Sequence, residues 1–250
     1  MQEQLSIGSV SVNSDPQLQL NTQTSIETHI VERGDIYYTK GRNLAKAVYK
    51  EVWNTKNLVD GNDYAIVVAC NGEVLGNVNI QLKHPGKLLK SEIFFGESHW
   101  ESYFDVSSSE IAEISALAIS QEAPTNLRRP IMMMLITGIQ NLCRIKQISK
   151  VATVQHDYLI RILTKSLKLP FFKNCKVDMP TESIPNDDYW KRTKAPALYY
   201  LETMQSSIME TCYSFLSYLN FSGIQTTFLP RVKTEKQPSY AAFRKEFADC

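Results

Sequence analysis

Glycine is scarce where phosphate-binding folds need it. None of the ten glycines lies between Gly96 and Gly138, and Gly138 sits inside an apolar run rather than a loop. The glycine fingerprint of a dinucleotide-binding strand, loop and helix is therefore absent, which excludes a Rossmann reading. No glycine-x-serine-x-glycine elbow occurs, so a hydrolase built on that turn is excluded as well. The five cysteines, Cys70, Cys143, Cys175, Cys212 and Cys250, are odd in number and widely spaced. That argues against a disulfide framework and against paired zinc-ligand spacing, and Cys143 and Cys175 have no recognisable partner for nucleophilic catalysis. A net charge of +1 gives no global field for nucleic acid, and the aromatic and basic interleaving of RNA binders is missing. There is no apolar stretch of membrane-spanning length, and residues 1–25 contain no lysine or arginine, so neither a spanning helix nor a secretory signal is expected. The expectation is a cytoplasmic protein with reduced thiols.

What is present is material for one sizeable domain with additions. A hydrophobic content of 43%, with 12 tyrosines and 10 phenylalanines in 250 residues, supplies an ample core. The additions lie at the ends. Residues 1–25 hold five glutamines and five serines, cannot bury enough apolar surface to order themselves, and are expected to be a disordered tail. Residues 204–250 are expected to be a helical extension packed on the domain. Within it, Met204 to Leu219 places Ile208, Cys212, Phe215, Leu216 and Leu219 at helical spacing, a stripe suited to core packing or to covering an acyl tunnel. Tyr240 to Phe247 offers one short helix.

The central stretch carries the most information. Glu110 to Ile119 alternates apolar side chains around Glu113, as a half-buried strand does. A turn over Gln121 to Asn126 follows, with Arg128 and Arg129 before Pro130 at an expected helix start, and Ile131 to Ile145 is apolar nearly all round. Lys150 to Gln155 reads as a strand, and Asp157 as the N-cap of a helix running to about Lys168. Upstream, Tyr37 to Trp53 reads as a helix and Tyr64–Cys70 with Glu73–Leu82 as a hairpin about Asn71-Gly72.

This order, over roughly Ile26 to Glu202, resembles the GNAT superfamily, whose central module is a strand, a pyrophosphate-binding loop opening a helix, and a second strand splayed from the first. The upstream helix and hairpin, and Leu88-Leu89-Lys90-Ser91-Glu92-Ile93-Phe94, are similar to the acyl-homoserine-lactone synthase and N-acyl amino acid synthase branch. The resemblance implies an α/β fold with a mixed, centrally splayed sheet flanked by helices, and a domain over residues 26–203. It also implies an N-acyltransferase that takes a fatty acyl group from acyl carrier protein or acyl-CoA to a small amine such as an amino acid. The acyl-phosphopantetheine thioester would be a co-substrate, with no permanently bound cofactor, and Ala118, Ile119, Arg128, Arg129 and Ile131 would hold it. The chain departs from the branch in two places. The fourth strand typically reads glutamate, x, x, arginine, and here Glu113 is followed by Ala116; the loop also lacks its glycines.

A thioester is already activated, so the chemistry asks for a placed amine, a base and an oxyanion site. Glu113 is the first candidate base; the other reading is a structural carboxylate paired with a neighbouring strand or a lysine. His156, at a strand end, either orients the amine or acts as base, or simply caps the strand. No residue clearly fills the place of a thiolate-protonating tyrosine: Thr164 occupies it, and Tyr158 lies too early. Arg161, Lys165 and Lys168 share a helical face that suits an acidic carrier protein, or are solvated surface. Met132, Met133 and Met134 are core or acyl-pocket residues, and Tyr199-Tyr200 leaves one ring facing inward in either case. Asp187-Asp188 with Glu182 lacks the spaced ligands of a metal loop, so no metal is expected. Two alternatives stay open: an acetyl-CoA-dependent GNAT N-acetyltransferase, and a catalytically silent GNAT-like module that binds an acyl ligand or a partner.

Overall fold

The computed structural model describes residues 24–96, 100–176 and 184–232. Residues 1–23 of the expected terminal tail, Cys250, Glu182 and the Tyr240 to Phe247 helix lie outside them, while Ser25, expected in that tail, opens the first strand. Eight strands form one mixed sheet in the order β6-β7-β5-β4-β3-β2-β1-β8, built from β1 (Ser25–Glu32), β2 (Tyr64–Cys70), β3 (Glu73–Leu82), β4 (Ile111–Ile119), β5 (Lys150–Gln155), β6 (Phe172–Lys173), β7 (Ala197–Glu202) and β8 (Gln225–Arg231). β4 with β5 and β1 with β8 run parallel, and the other neighbours run antiparallel. The β2–β3 hairpin turns on Asn71 and Gly72, both at positive φ, which this residue pair adopts at little cost.

Two long helices cover opposite faces of the sheet. Successive residues of a strand point to opposite sides. On β2, Ile66 and Val68 join the main core with Ile131, Met134 and Leu135 of α4 (Thr125–Lys146), whereas Ala65 and Val67 pack with Tyr38 of α1 (Ile36–Trp53). α4 lies so close to the sheet that a Cβ on its Gly138 would stand 2.3 Å from Ile66 Cγ2. α6 (Ser206–Phe221) buries Ile208, Cys212, Phe215 and Leu219 in the same core and packs on α4. Two short helices, α2 (Lys90–Phe95) and α3 (Trp100–Phe104), share a second apolar cluster with Ile111 of β4, Ala152 of β5 and Leu198 of β7, in which Trp100 is fully buried.

The structure moves three sequence expectations. α4 starts at Thr125 rather than at Pro130, with Pro124 at the N-cap and the Leu127 N–H donating to its carbonyl. Pro130 lies inside the helix; the bond it cannot make falls on the carbonyl of exposed Asn126, which water can satisfy. The N-cap of α5 (Asp157–Arg161) is His156, one residue before the expected Asp157, and the helix loosens into a π turn at Ile162–Ser166. The segment after residue 203 contributes strand β8 as well as a helix. β8 is an edge strand, which is where a proline such as Pro230 fits a ladder.

Candidate functional site

β4 and β5 pair only from Ile111↔Lys150 to Ile114↔Thr153, then separate, although β4 continues to Ile119 and β5 to Gln155. At the separation β4 carries a bulge: Ser115 pairs with Asn79 and Ala118 with Asn77, so Ala116 and Leu117 face the single residue Val78. Ala116 sits in the left-handed region at φ 52° and has no ladder partner on either side. Two cavities border this gap. One, of ≈ 110 Å³, is lined by Glu113, Ser115 and Ala116 of β4, Tyr49 of α1, Lys90, Phe94, and Asp187, Tyr189 and Trp190 of the 184–190 loop. The other, of ≈ 40 Å³, is almost wholly apolar and lies under α4, lined by Leu117, Met132, Leu135, Ile136, Ile139, Leu163, Phe171 and Ile208 among others. Ile114 and Gln155, the residues flanking the gap, line both.

Glu113 is only 3% exposed, and its Oε2 accepts the Ser91 N–H at 2.8 Å. Burial raises its pKa above the ordinary carboxylate range, against the opposing pull of the Ser91 hydrogen bonds and of nearby Lys90. Lys90 donates to Asn62 Oδ1 at 3.1 Å and to the Val59 carbonyl at 3.4 Å, and burial lowers its pKa. Asn62 Oδ1 also accepts from Ser115 Oγ. Behind this wall, Arg42 is buried and donates to Asn79 Oδ1 and to the carbonyls of Leu58 and Val59. The segment carrying Lys90 and Ser91 is held by Glu92, which accepts from Lys83 Nζ at 2.7 Å, Leu89 N–H at 2.7 Å and Trp100 N–H at 3.0 Å.

His156 is buried but does not line the Glu113 cavity. Its Nε2 lies 2.9 Å from the Tyr189 carbonyl, so that nitrogen carries the proton, and its ring stacks on Trp53 at 5.5 Å and Tyr158 at 5.8 Å. Burial lowers its pKa and keeps it neutral near pH 7. It lines instead an open cleft of ≈ 430 Å³ with Tyr158, Arg161, Lys191, Arg192 and Lys194. Lys165 and Lys168 follow in and after the π turn, exposed. Of the expected donor residues, Ile131 is wholly buried in the core, Ala118 packs with Ala45 and Ala116, and Ile119 is partly buried at the end of β4. Arg128 donates to the carbonyls of Gln121 (2.7 Å) and Ala123 (3.2 Å), closing the loop before α4, and Arg129 lies 5.8 Å from the Tyr218 ring. Among the methionines, Met132 lines the apolar cavity, while Met133 and Met134 are buried in the core. Tyr199 donates to Asp157, and Tyr200 packs among Tyr103, Phe104 and Phe172, so neither ring reaches the Glu113 cavity. Burial pushes the Cys143 thiol up to about 12 and Cys212 to about 11, which leaves both inert as nucleophiles.

Sequence reading gave no task to Lys90, Tyr49 or Trp190, and considered Asp187 only as a metal ligand. Asp187 is buried, accepts from Thr55 Oγ1 at 2.9 Å and faces the cavity, while its neighbour Asp188 is exposed. No local pattern announces such residues, because Lys90, Glu113 and Asp187 meet only through the tertiary fold.

A mixed sheet whose parallel central pair splays beside a bulge, with helices on both faces, is a GNAT-like fold. No family model matches the chain, and no curated protein sequence matches it significantly. Solved structures do. The chain is similar to the acyl-homoserine lactone synthase LasI at 16% identity, covering 76% of this chain and 96% of LasI with a TM-score of 0.54. BjaI, a CoA-dependent acyl-homoserine lactone synthase solved with SAM and isopentyl-CoA, matches at 11% identity over 88% of this chain and 99% of its own, TM-score 0.54. The CoA-dependent synthase MesI matches at 15% over 75% and 94%, TM-score 0.51. At these identities the likeness is one of fold. No described helix is long and apolar enough to cross a membrane.

Proposed function

We propose that the protein is an N-acyltransferase that moves a fatty acyl group from the phosphopantetheine thioester of acyl carrier protein or CoA to the amine of a small molecule. The observation that carries this reading is the pair of cavities that share Ile114 and Gln155 in their walls: one holding a buried carboxylate among polar and aromatic side chains, and one almost wholly apolar. The apolar cavity takes the acyl chain, and the thioester lies in the gap beside the bulge. The Ala116 N–H, which has no ladder partner, is the proposed donor to the carbonyl oxygen as it gains charge, while the Ala116 carbonyl accepts from Asn77 Nδ2 at 3.0 Å. Glu113, with its raised proton affinity, takes a proton from the acceptor ammonium. The freed amine attacks the thioester carbon, the N–C bond forms and the C–S bond breaks. The departing sulfur leaves with the second proton of the amine, and Glu113 passes the first to solvent. His156, outside the Glu113 cavity, fixes Tyr189 in its wall rather than serving as base.

The first turn of α4 with Arg129 is the proposed phosphate site, Arg128 shaping its loop. The cleft with Arg161, Lys191, Arg192 and Lys194 suits an acidic carrier protein. The donor is a co-substrate, and no resident cofactor is invoked. The test is thiol release from a panel of acyl-carrier-protein and acyl-CoA thioesters of graded length with mixed small amines. Release with long acyl donors and an N-acyl product is expected. Release with acetyl-CoA alone would replace this reading with an acetyltransferase, and no release with any donor would replace it with a binding module.

A further inference from the structure

The Glu113 cavity carries two charges of opposite sign for which acyl transfer alone gives no task. Lys90 enters from α2, and its hydrogen bonds go to two neutral oxygens, Asn62 Oδ1 and the Val59 carbonyl. Asp187 enters from the 184–190 loop and is 8% exposed. Its Oδ2 accepts from Thr55 Oγ1, but its Oδ1 is buried without a hydrogen-bond partner. A buried carboxylate oxygen left unpaired costs about 1–3 kcal/mol or more, a debt that an arriving donor cancels. The loop that presents it is held in place, since Asp188 N–H donates to the Trp53 carbonyl and Trp190 N–H to the Asp187 carbonyl. Around the charges the lining is aromatic, with Tyr49, Phe94, Tyr189 and Trp190.

Beside the base Glu113, the cation Lys90, the anion Asp187 with its open acceptor and the aromatic walls together match a zwitterion that carries an apolar or aromatic side chain. We infer that the cavity binds a free α-amino acid of that kind, Lys90 holding its carboxylate and Asp187 its ammonium. The binding claim stands on the cavity; the consequence that the product is an N-acyl amino acid rests on the acyl-transfer reading. Lys90 then decides between a free acid and its esters or lactones, because only the acid brings a full negative charge to the ammonium. Asp187 is a positioning residue that turns the acceptor nitrogen toward Glu113.

The experiment is a titration of intrinsic fluorescence, which Trp190 in the cavity wall reports, in the absence of any donor. The twenty amino acids are tested singly, each with its methyl ester and its decarboxylated amine. An apolar or aromatic amino acid is expected to bind at least tenfold more tightly than its ester or amine. Lys90→Met should abolish the preference for acid over ester, and Lys90→Arg should restore part of it. Asp187→Asn keeps an oxygen for Thr55 but loses the charge, and should weaken acid and ester alike by tenfold or more. Thermal melting of each variant confirms folding, and the asparagine variant serves alone if Lys90→Met fails to fold. An ester that binds as tightly as the acid, a preference that survives Lys90→Met, or no binding by any amino acid would overturn the inference. In the last case, thiol release with amines lacking a carboxylate would leave acyl transfer standing. Amino acid binding without thiol release from any donor would do the reverse.

Discussion

Replacing Glu113 by glutamine should slow acyl transfer and at the same time stabilise the protein. The side chain is 3% exposed and accepts the Ser91 N–H at 2.8 Å, a bond that the glutamine carbonyl oxygen can keep. What glutamine removes is a carboxyl group that burial makes costly to ionise. Its folded-state pKa lies above its ordinary value of 4.5. Between the two values the folded chain therefore holds more protons than the unfolded one, and stability falls as pH rises through that window. Below it the group contributes no penalty; above it the full penalty is present. The difference between Glu113→Gln and the parent should thus be near zero at pH 4 and open toward pH 7. It grows by about 1.4 kcal/mol for each pH unit that separates the folded and unfolded pKa. For a chain of this size that is about 3 to 6 °C in Tm per pH unit. In the thiol-release assay, loss of a general base should cost on the order of 100-fold to 10,000-fold in kcat. Melting curves from pH 4 to 8 and thiol release on the same preparations give both numbers. A variant that is less stable than the parent at pH 7 would show Glu113 to be a structural carboxylate, and one that keeps its activity would remove it from the chemistry.

Gly138→Ala tests the packing of α4: the new Cβ would stand 2.3 Å from Ile66 Cγ2, so urea denaturation should show a loss of about 1–3 kcal/mol. A helix without that close approach would gain about 1 kcal/mol from the same change. Met132→Trp narrows the apolar cavity and should lower kcat/KM for long acyl donors tenfold or more, with little effect on short ones, in the donor panel. Lys83→Met leaves Glu92, 1% exposed, without its cation, and should cost about 3 kcal/mol by urea denaturation while loosening the segment that carries Lys90 and Ser91. Lys191→Glu with Lys194→Glu reverses charge in the open cleft and should raise the KM for acyl carrier protein about tenfold or more, leaving that for acyl-CoA unchanged.

The parts of the fold that sequence makes legible are those with a local signal. α1, the Asn71-Gly72 hairpin, β4 and β5 stand within a residue or so of where period and turn chemistry put them. β8 escaped because an exposed edge strand with Thr226, Thr227 and Pro230 has neither alternation nor an apolar run. Pro130 misplaced the start of α4 because a proline at a first helical position and one tolerated a turn and a half later look alike in sequence. At the site, Glu113 was visible as a carboxylate among apolar neighbours, a local anomaly. Lys90 and Asp187 were not, since each is ordinary in its own segment and acquires a charged counterpart only when residues far apart in the chain close one cavity.

Ala116 shows how the fold answers a departure that looks damaging in sequence. Its Cβ lies among Ala45 and Ala118 under α1, at a left-handed φ that costs about 1–2 kcal/mol for any residue but glycine. At this crowded point on the strand a small side chain lets α1 lie close. The positive charge at this level of the sheet comes from α1 itself. Arg42, 3% exposed, reaches Asn79, the ladder partner of Ser115, and donates to the carbonyls of Leu58 and Val59. Leu58 and Val59 line the Glu113 cavity, and Val59 also receives Lys90. A guanidinium planted in the helix therefore fastens the wall of the cavity from behind instead of projecting into it from β4. That leaves the charges inside the cavity to Lys90, Glu113 and Asp187, and the space beside the bulge to backbone and substrate.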